Sequence, residues 1–187
     1  LPREIYKVHY REEIDGLRAV AVSTVILYHA GIEAFSGGYV GVDIFFVISG
    51  FLIFSLILEE LSLGTFSFSN FYQRRIKRIL PALFLVIFCT IVPAYLILIP
   101  DDFLEYSRSI TATSLFIPNL FFWIDIGYFN SDVDLKPLIH MWSIGVEEQF
   151  YILFPFFVWF TGYALNNQKG VRNLFISLGT LSIASLF

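Results

Sequence analysis

Apolar residues come in runs long enough to cross a lipid bilayer, and polar residues break those runs at few places. A hydrocarbon core about 30 Å thick needs about 20 helical residues to span. Ile79 to Ile99 is 21 residues without a charge. Val40 to Leu58 is 19 residues interrupted only by Asp43, and Ile14 to Ala34 is mostly apolar while carrying Asp15, Arg18, His29 and Glu33. A fourth run, Leu138 to Tyr163, contains Glu147 and Glu148, and a fifth begins near Leu174 and is still apolar at Phe187. At 14 residues the fifth is too short to cross. The pattern predicts an all-α polytopic transmembrane helix bundle, with about four complete spans near 14–34, 40–58, 79–99 and 138–163 and an incomplete fifth at 174–187. It reads as the front part of a longer membrane domain, preceded by a cytoplasmic segment at residues 1–13.

Basic residues orient the bundle, because cytoplasmic loops are enriched in them. Arg3, Lys7, Arg11 and Arg18 lie at or before the first span, Arg74, Arg75, Lys77 and Arg78 fall between the second and third, and Lys169 and Arg172 between the fourth and fifth. With the N-terminus inside and Phe103 to Trp123 not crossing, ten of the twelve Lys and Arg residues are cytoplasmic. Letting that stretch cross would put Arg108 in lipid, so it is expected to be an interfacial or partly re-entrant helix around 103–123. Gly37-Gly38, Pro100-Asp101-Asp102 and Asn166-Asn167-Gln168 read as turns. No A-x-A-like cleavage site follows the first run, which is expected to be retained as a signal anchor.

Composition agrees. The 187 residues are 57% hydrophobic, 19% aromatic and 15% charged, with a mean hydropathy of +0.72, against about 25% charged in average soluble domains. Disorder is excluded, and the balance is not that of an ordinary soluble domain. The one cysteine, Cys89, leaves no disulfide framework and no thiolate metal cluster, and no metal site is expected. A net charge of −4 gives no footprint for nucleic acid.

Charged groups in hydrocarbon cost roughly 2.5–3.5 kcal/mol each on insertion scales, so they face partners or wet cavities and mark functional sites by default. Arg18 and His29 are eleven residues apart, which returns them to nearly one face about 16 Å apart along a helix. Asp15 joins that stripe. On the fourth run His140, Ser143 and Glu147 share a face at i, i+3 and i+7, with Glu148 about 100° away. If one carboxylate meets His29, this spacing favours Glu147. An imidazole beside a carboxylate suits general base chemistry; the bland alternative is a structural histidine bonded between helices. The Arg74 to Arg78 cluster is either a positive-inside anchor at lipid headgroups or, through Arg75 and Arg78 one turn apart, a phosphate site for a cytosolic donor. Spacing does not decide between these. Gly37 to Asp43 lacks the phosphate-loop pattern, so its glycines suit close helix approach, while Asp43 sits well against a helix N-terminus and could line the extracytoplasmic mouth.

Four segments in register resemble one family. They are Tyr10-Arg11-Glu12-Glu13-Ile14-Asp15-Gly16-Leu17-Arg18 with His29, the run Gly37 to Ile53, Phe71 to Pro81 with its Arg74-Arg75-Ile76-Lys77-Arg78 core, and Leu138 to Tyr151 with Trp142-Ser143 and Glu147-Glu148-Gln149. Together they look like the opening of the acyltransferase family three membrane proteins. The resemblance implies a bacterial inner-membrane O-acyltransferase. Such an enzyme moves an acyl group, commonly acetyl from acetyl-CoA, onto a hydroxyl of an envelope glycan such as lipopolysaccharide O-antigen or peptidoglycan. It also implies that Arg18 and His29 are essential, that Arg75 and Arg78 serve the CoA side, and that Glu147 and Glu148 form the other charged signature. A C-terminal SGNH-type domain of the family would lie beyond Phe187.

The residue-level reading and the resemblance converge on a donor bound from the cytosol near Arg18, Arg75 and Arg78. His29, with Glu147 or Glu148, then activates an extracytoplasmic hydroxyl. Asp15, Asp43, His140 and Ser143 are candidate supporting residues. The competing class is a transporter or flippase of envelope precursors, since buried charges also mark transport paths. A fragment of the acyltransferase, inactive without the rest of its bundle, is the other alternative. The acceptor sugar, the acyl chain, direct transfer against an acyl-enzyme, and the oligomeric state are not written in these residues.

Overall fold

The computed structural model describes residues 11–126, 136–162 and 168–184. Every regular element among them is helical: α1 (Glu12–His29), α2 (Gly41–Leu63), α3 (Phe68–Ile97), α4 (Pro100–Ser114), α5 (Pro118–Ile126), α6 (Trp142–Gly162) and α7 (Gln168–Ala184), with short 3-10 turns at Glu33–Phe35, Gly38–Val40 and Ile139–Met141. The all-α expectation holds. Two helical stretches, Gly38–Leu63 and Phe68–Ile97, are long and apolar enough to cross a membrane.

The chain forms two compact units, one running to Glu148 and one from Gln149. In the first, α1 and α2 are joined by a short connection and meet through glycine. A Cβ on Gly38 would strike the Thr24 carbonyl oxygen and lie 2.9 Å from Tyr28 Cβ; one on Gly41 would lie 2.5 Å from the Ala21 carbonyl oxygen and 2.7 Å from Val25 Cγ2. The backbones therefore touch where these residues have no side chain, the small-residue mode of helix association in membranes. Farther on, Leu83, Ile87 and Ala94 of α3, Tyr106 of α4, Phe122 of α5, and Leu138 and Met141 before α6 form a buried apolar cluster. Within it the hydroxyls of Thr90 and Tyr106 are hydrogen-bonded at 2.8 Å. In the second unit Tyr151, Val158 and Leu174 are buried, and Phe150, Phe154 and Phe157 stack along α6.

Several boundaries differ from the sequence reading, each for a local reason. The first helix stops at His29 instead of continuing to Ala34, because the chain turns through Gly31 at φ 74°. The third begins at Phe68, with the Ser67 side chain accepting from the Asn70 N–H, so Arg74 to Arg78 are turns of a 30-residue helix and not a loop. That helix carries Pro81 and Pro93 in its interior. Pro100 is no turn but the first residue of α4, with Asp101 and Asp102 against its dipole.

The single helix expected around 103–123 is two. Phe116 has φ 58°, and the N–H groups of Phe116 and Ile117 bond the carbonyls of Thr113 and Ala112 at 3.1 and 2.9 Å. This is a Schellman ending with phenylalanine where glycine is usual, and Pro118 then opens α5. The last helix starts at Gln168 rather than Leu174. The segment 1–10 and Asn166-Asn167 lie outside the described residues.

Candidate functional site

The polar residues singled out from sequence lie on α1, α2, α3, the 3-10 turn before α6 and the start of α6, and α2 adds Ser49. On α1 the Asp15 carboxylate lies 3.9 Å from Arg18, one turn away. His29 is the last residue of that helix and is exposed, so its ring stands at the end of the element and not within it. Its Nδ1 is 2.8 Å from the Val25 carbonyl. A carbonyl oxygen only accepts, so Nδ1 carries the proton and Nε2 of the neutral ring keeps its lone pair.

The group that meets His29 is another imidazole. The rings of His29 and His140 are edge to face with centroids 4.6 Å apart, and Tyr28 stands at 5.0 Å on the other flank. His140 belongs to the 3-10 turn before α6, which begins at Trp142, so His140 and Glu147 do not lie on one regular α-helix. Among the described residues no carboxylate pairs with His29. The Ser143 hydroxyl bonds the His140 backbone carbonyl at 3.3 Å. Asp43 is exposed in the first turn of α2.

Glu147 instead accepts a hydrogen bond from the Ser49 hydroxyl of α2. Glu148, next in the chain, is buried, and both the Glu147 carboxylate and the Arg75 guanidinium act on it electrostatically. Arg75 reaches inward from α3, its guanidinium 5.8 Å from the Phe71 ring centroid. Arg74 points elsewhere, to Glu60 at 2.6 Å, and Arg78 is exposed.

These contacts place the polar groups at two levels. Gly41 packs at the height of Ala21 and Val25, and α2 runs back alongside α1. Eight residues down α2, about 12 Å, Ser49 comes level with Asp15, one turn before Arg18. Arg11 lying over the Phe51 ring, 5.9 Å from its centroid, fits the same alignment. His29 and His140 form one level, and Ser49, Glu147, Glu148 and Arg75 the other, about 10 Å away along the His140 to Glu147 segment; Arg18 lies about 16 Å from His29 along α1. Ser49 was missed from sequence. Its signal was a lone hydroxyl between Ile48 and Gly50 in an uncharged run, which packing explains equally well.

A family model described as an acyltransferase domain matches residues 11–187. The O-acetyltransferase OatA of Staphylococcus aureus strain NCTC 8325 / PS 47 is 36% identical over 186 residues, covering 96% of the chain and 30% of that protein. The OatA protein of strain COL gives the same figures. A protein of strain MSSA476 provisionally named O-acetyltransferase SAS0844 is 41% identical over 151 residues, 80% of the chain and 25% of that protein. The chain spans less than a third of the length of these curated relatives. No solved structure matches it.

Proposed function

Because the chain belongs to the acyltransferase domain family, we propose that it is a membrane-embedded part of an O-acyltransferase. The enzyme moves acetyl from cytosolic acetyl-CoA to a hydroxyl of an extracytoplasmic envelope glycan. The relatives' name, O-acetyltransferase, supports the acyl group and the oxygen acceptor. The observation that carries the reading is the two-level arrangement: the His29 ring, held through Nδ1 at one end of α1, at one level, and the Ser49, Glu147, Glu148 and Arg75 groups at the other.

In this reading α1, α2, α3 and α6 cross the inner membrane, with the N-terminus cytoplasmic. Arg78, exposed on α3, and Arg18 and Arg75 hold the CoA phosphates by charge-assisted bonds, and the pantetheine arm carries the thioester up between the levels. His29 Nε2 accepts the proton of the acceptor hydroxyl as its oxygen attacks the thioester carbonyl. The tetrahedral adduct collapses, the C–S bond breaks, and the CoA thiolate leaves and is protonated from the imidazolium. Glu147 and Glu148 counter the transient imidazolium charge across a low-dielectric interior, where charges interact far more strongly than in water. A C-terminal SGNH-type domain, where the parent protein has one, would receive or relay the product.

The test is donor-dependent transfer in inside-out membrane vesicles bearing the protein from its whole reading frame. Radiolabelled acetyl-CoA is supplied to the cytosolic face, and base-labile acetate on glycan is counted. His29→Ala is expected to lower transfer by about 100-fold or more at matched membrane level. Retained transfer removes His29 from the chemistry. Glycan movement without donor and without thiol release favours transport.

A further inference from the structure

Ser49 and Glu147 are 98 positions apart and lie on different helices, yet the Ser49 hydroxyl donates directly to Glu147 Oε1. Glu147 receives a hydroxyl from α2, and buried Glu148 beside it feels the Arg75 guanidinium of α3. We propose that Ser49 is a positioning residue: its hydroxyl fixes one carboxylate oxygen of Glu147, and so the rotamer in which that carboxylate serves acyl transfer.

The proposal rests on the reading of Glu147 under Proposed function and adds to it what holds the group in place. A glutamate on a helix has three rotatable side-chain bonds, and its charge beside a second carboxylate favours conformers that carry the two apart. A donor from a neighbouring helix removes that freedom and supplies a bond to the charged group, stronger than one between neutral partners. The same bond ties α2 to the start of α6, so the geometry of the carboxylate depends on how those helices meet. No apolar substitute at position 49 can make it.

The test uses the same vesicle assay with acetyl-CoA as the probe, comparing Ser49→Ala, Ser49→Thr, Glu147→Gln and the Ser49→Ala/Glu147→Gln double variant. Gly50→Ala serves as a control for helix integrity, since a Cβ there meets nothing within 4 Å. Ser49→Ala is expected to lower kcat by about 10- to 100-fold, the range set by losing a hydrogen bond to a charged group, with KM for acetyl-CoA near the wild-type value. Ser49→Thr recovers most of the rate. Ser49→Ala adds no further loss to the residual rate of Glu147→Gln, because one acts through the other. The proposal falls if Ser49→Ala keeps its kcat while Glu147→Gln loses it, or if the two losses multiply. Full transfer by Glu147→Gln is a different failure: it removes Glu147 from the mechanism and leaves Ser49 nothing to position.

Discussion

The ring of His140 stands edge to face against the ring of His29, 4.6 Å between centroids, where a carboxylate was expected. The proposed base is thus oriented by a backbone carbonyl on one side and flanked by a second imidazole on the other. Replacing His140 by phenylalanine preserves the edge contact and deletes the nitrogens, while alanine deletes both. Transfer is expected to fall about tenfold in both His140→Phe and His140→Ala, against about 100-fold or more in His29→Ala. Wild-type rates in His140→Phe would assign His140 to packing alone.

Three neighbouring arginines are held differently, and their kinetics should separate accordingly. Arg78→Ala is expected to raise KM for acetyl-CoA about tenfold with kcat little changed, the sign of a contact made equally in ground and transition states. Arg75→Ala should lower kcat as well, since it strips buried Glu148 of the positive charge acting on it. Arg74→Ala should change neither much, because that side chain is committed to Glu60, a partly exposed pair worth about 1 kcal/mol or less. A KM effect of Arg74→Ala equal to that of Arg78→Ala contradicts this division.

Gly41→Ala drives a methyl against the Ala21 carbonyl and Val25. Overpacking of this kind costs about 1–3 kcal/mol, so thermal unfolding in detergent should shift down. Gly50→Ala, in open space on the same helix, should be neutral or stabilising, in line with the higher helix propensity of alanine. Equal shifts in the two would mean that α1 and α2 do not meet through glycine.

Phe116 occupies a left-handed conformation at the end of α4 and packs against the buried cluster. Phe116→Ala loses the ring and keeps the strain, whereas Phe116→Gly loses both. The glycine variant should therefore be more stable than the alanine variant by about 1 kcal/mol, read as the difference between their unfolding midpoints. The reverse order would show that the backbone there is not strained.

The helices were legible because bilayer thickness and helical rise act on the whole run, and a run such as Ile79 to Ile99 admits one reading. Their ends were not, since single residues decide them: Gly31 shortens α1, Ser67 lets α3 begin eleven residues early and absorb Arg74 to Arg78, and Pro118 with Phe116 divides the expected interfacial helix. At the site, periodicity correctly put Arg18 and His29 on one helix and Glu147 and Glu148 at the start of another. It could not pair them across helices. Which group meets which depends on the depth at which α1, α2 and α6 pass one another, and two glycine contacts set that depth for α1 and α2. Hence Glu147 went to Ser49 and His29 to His140, pairings that no spacing within a single helix encodes.

Pro81 sits three residues after Arg78, the first of two prolines inside α3. Its ring denies the Lys77 carbonyl its usual partner, and such a gap is where helices bend. The guanidinium-bearing turns and the apolar shaft beyond them therefore meet at a turn that lacks one backbone hydrogen bond. The arginine-bearing end can then shift without uncoiling the shaft, and a substitution that restores the missing bond at position 81 would change how the two segments move against each other before it changed either one.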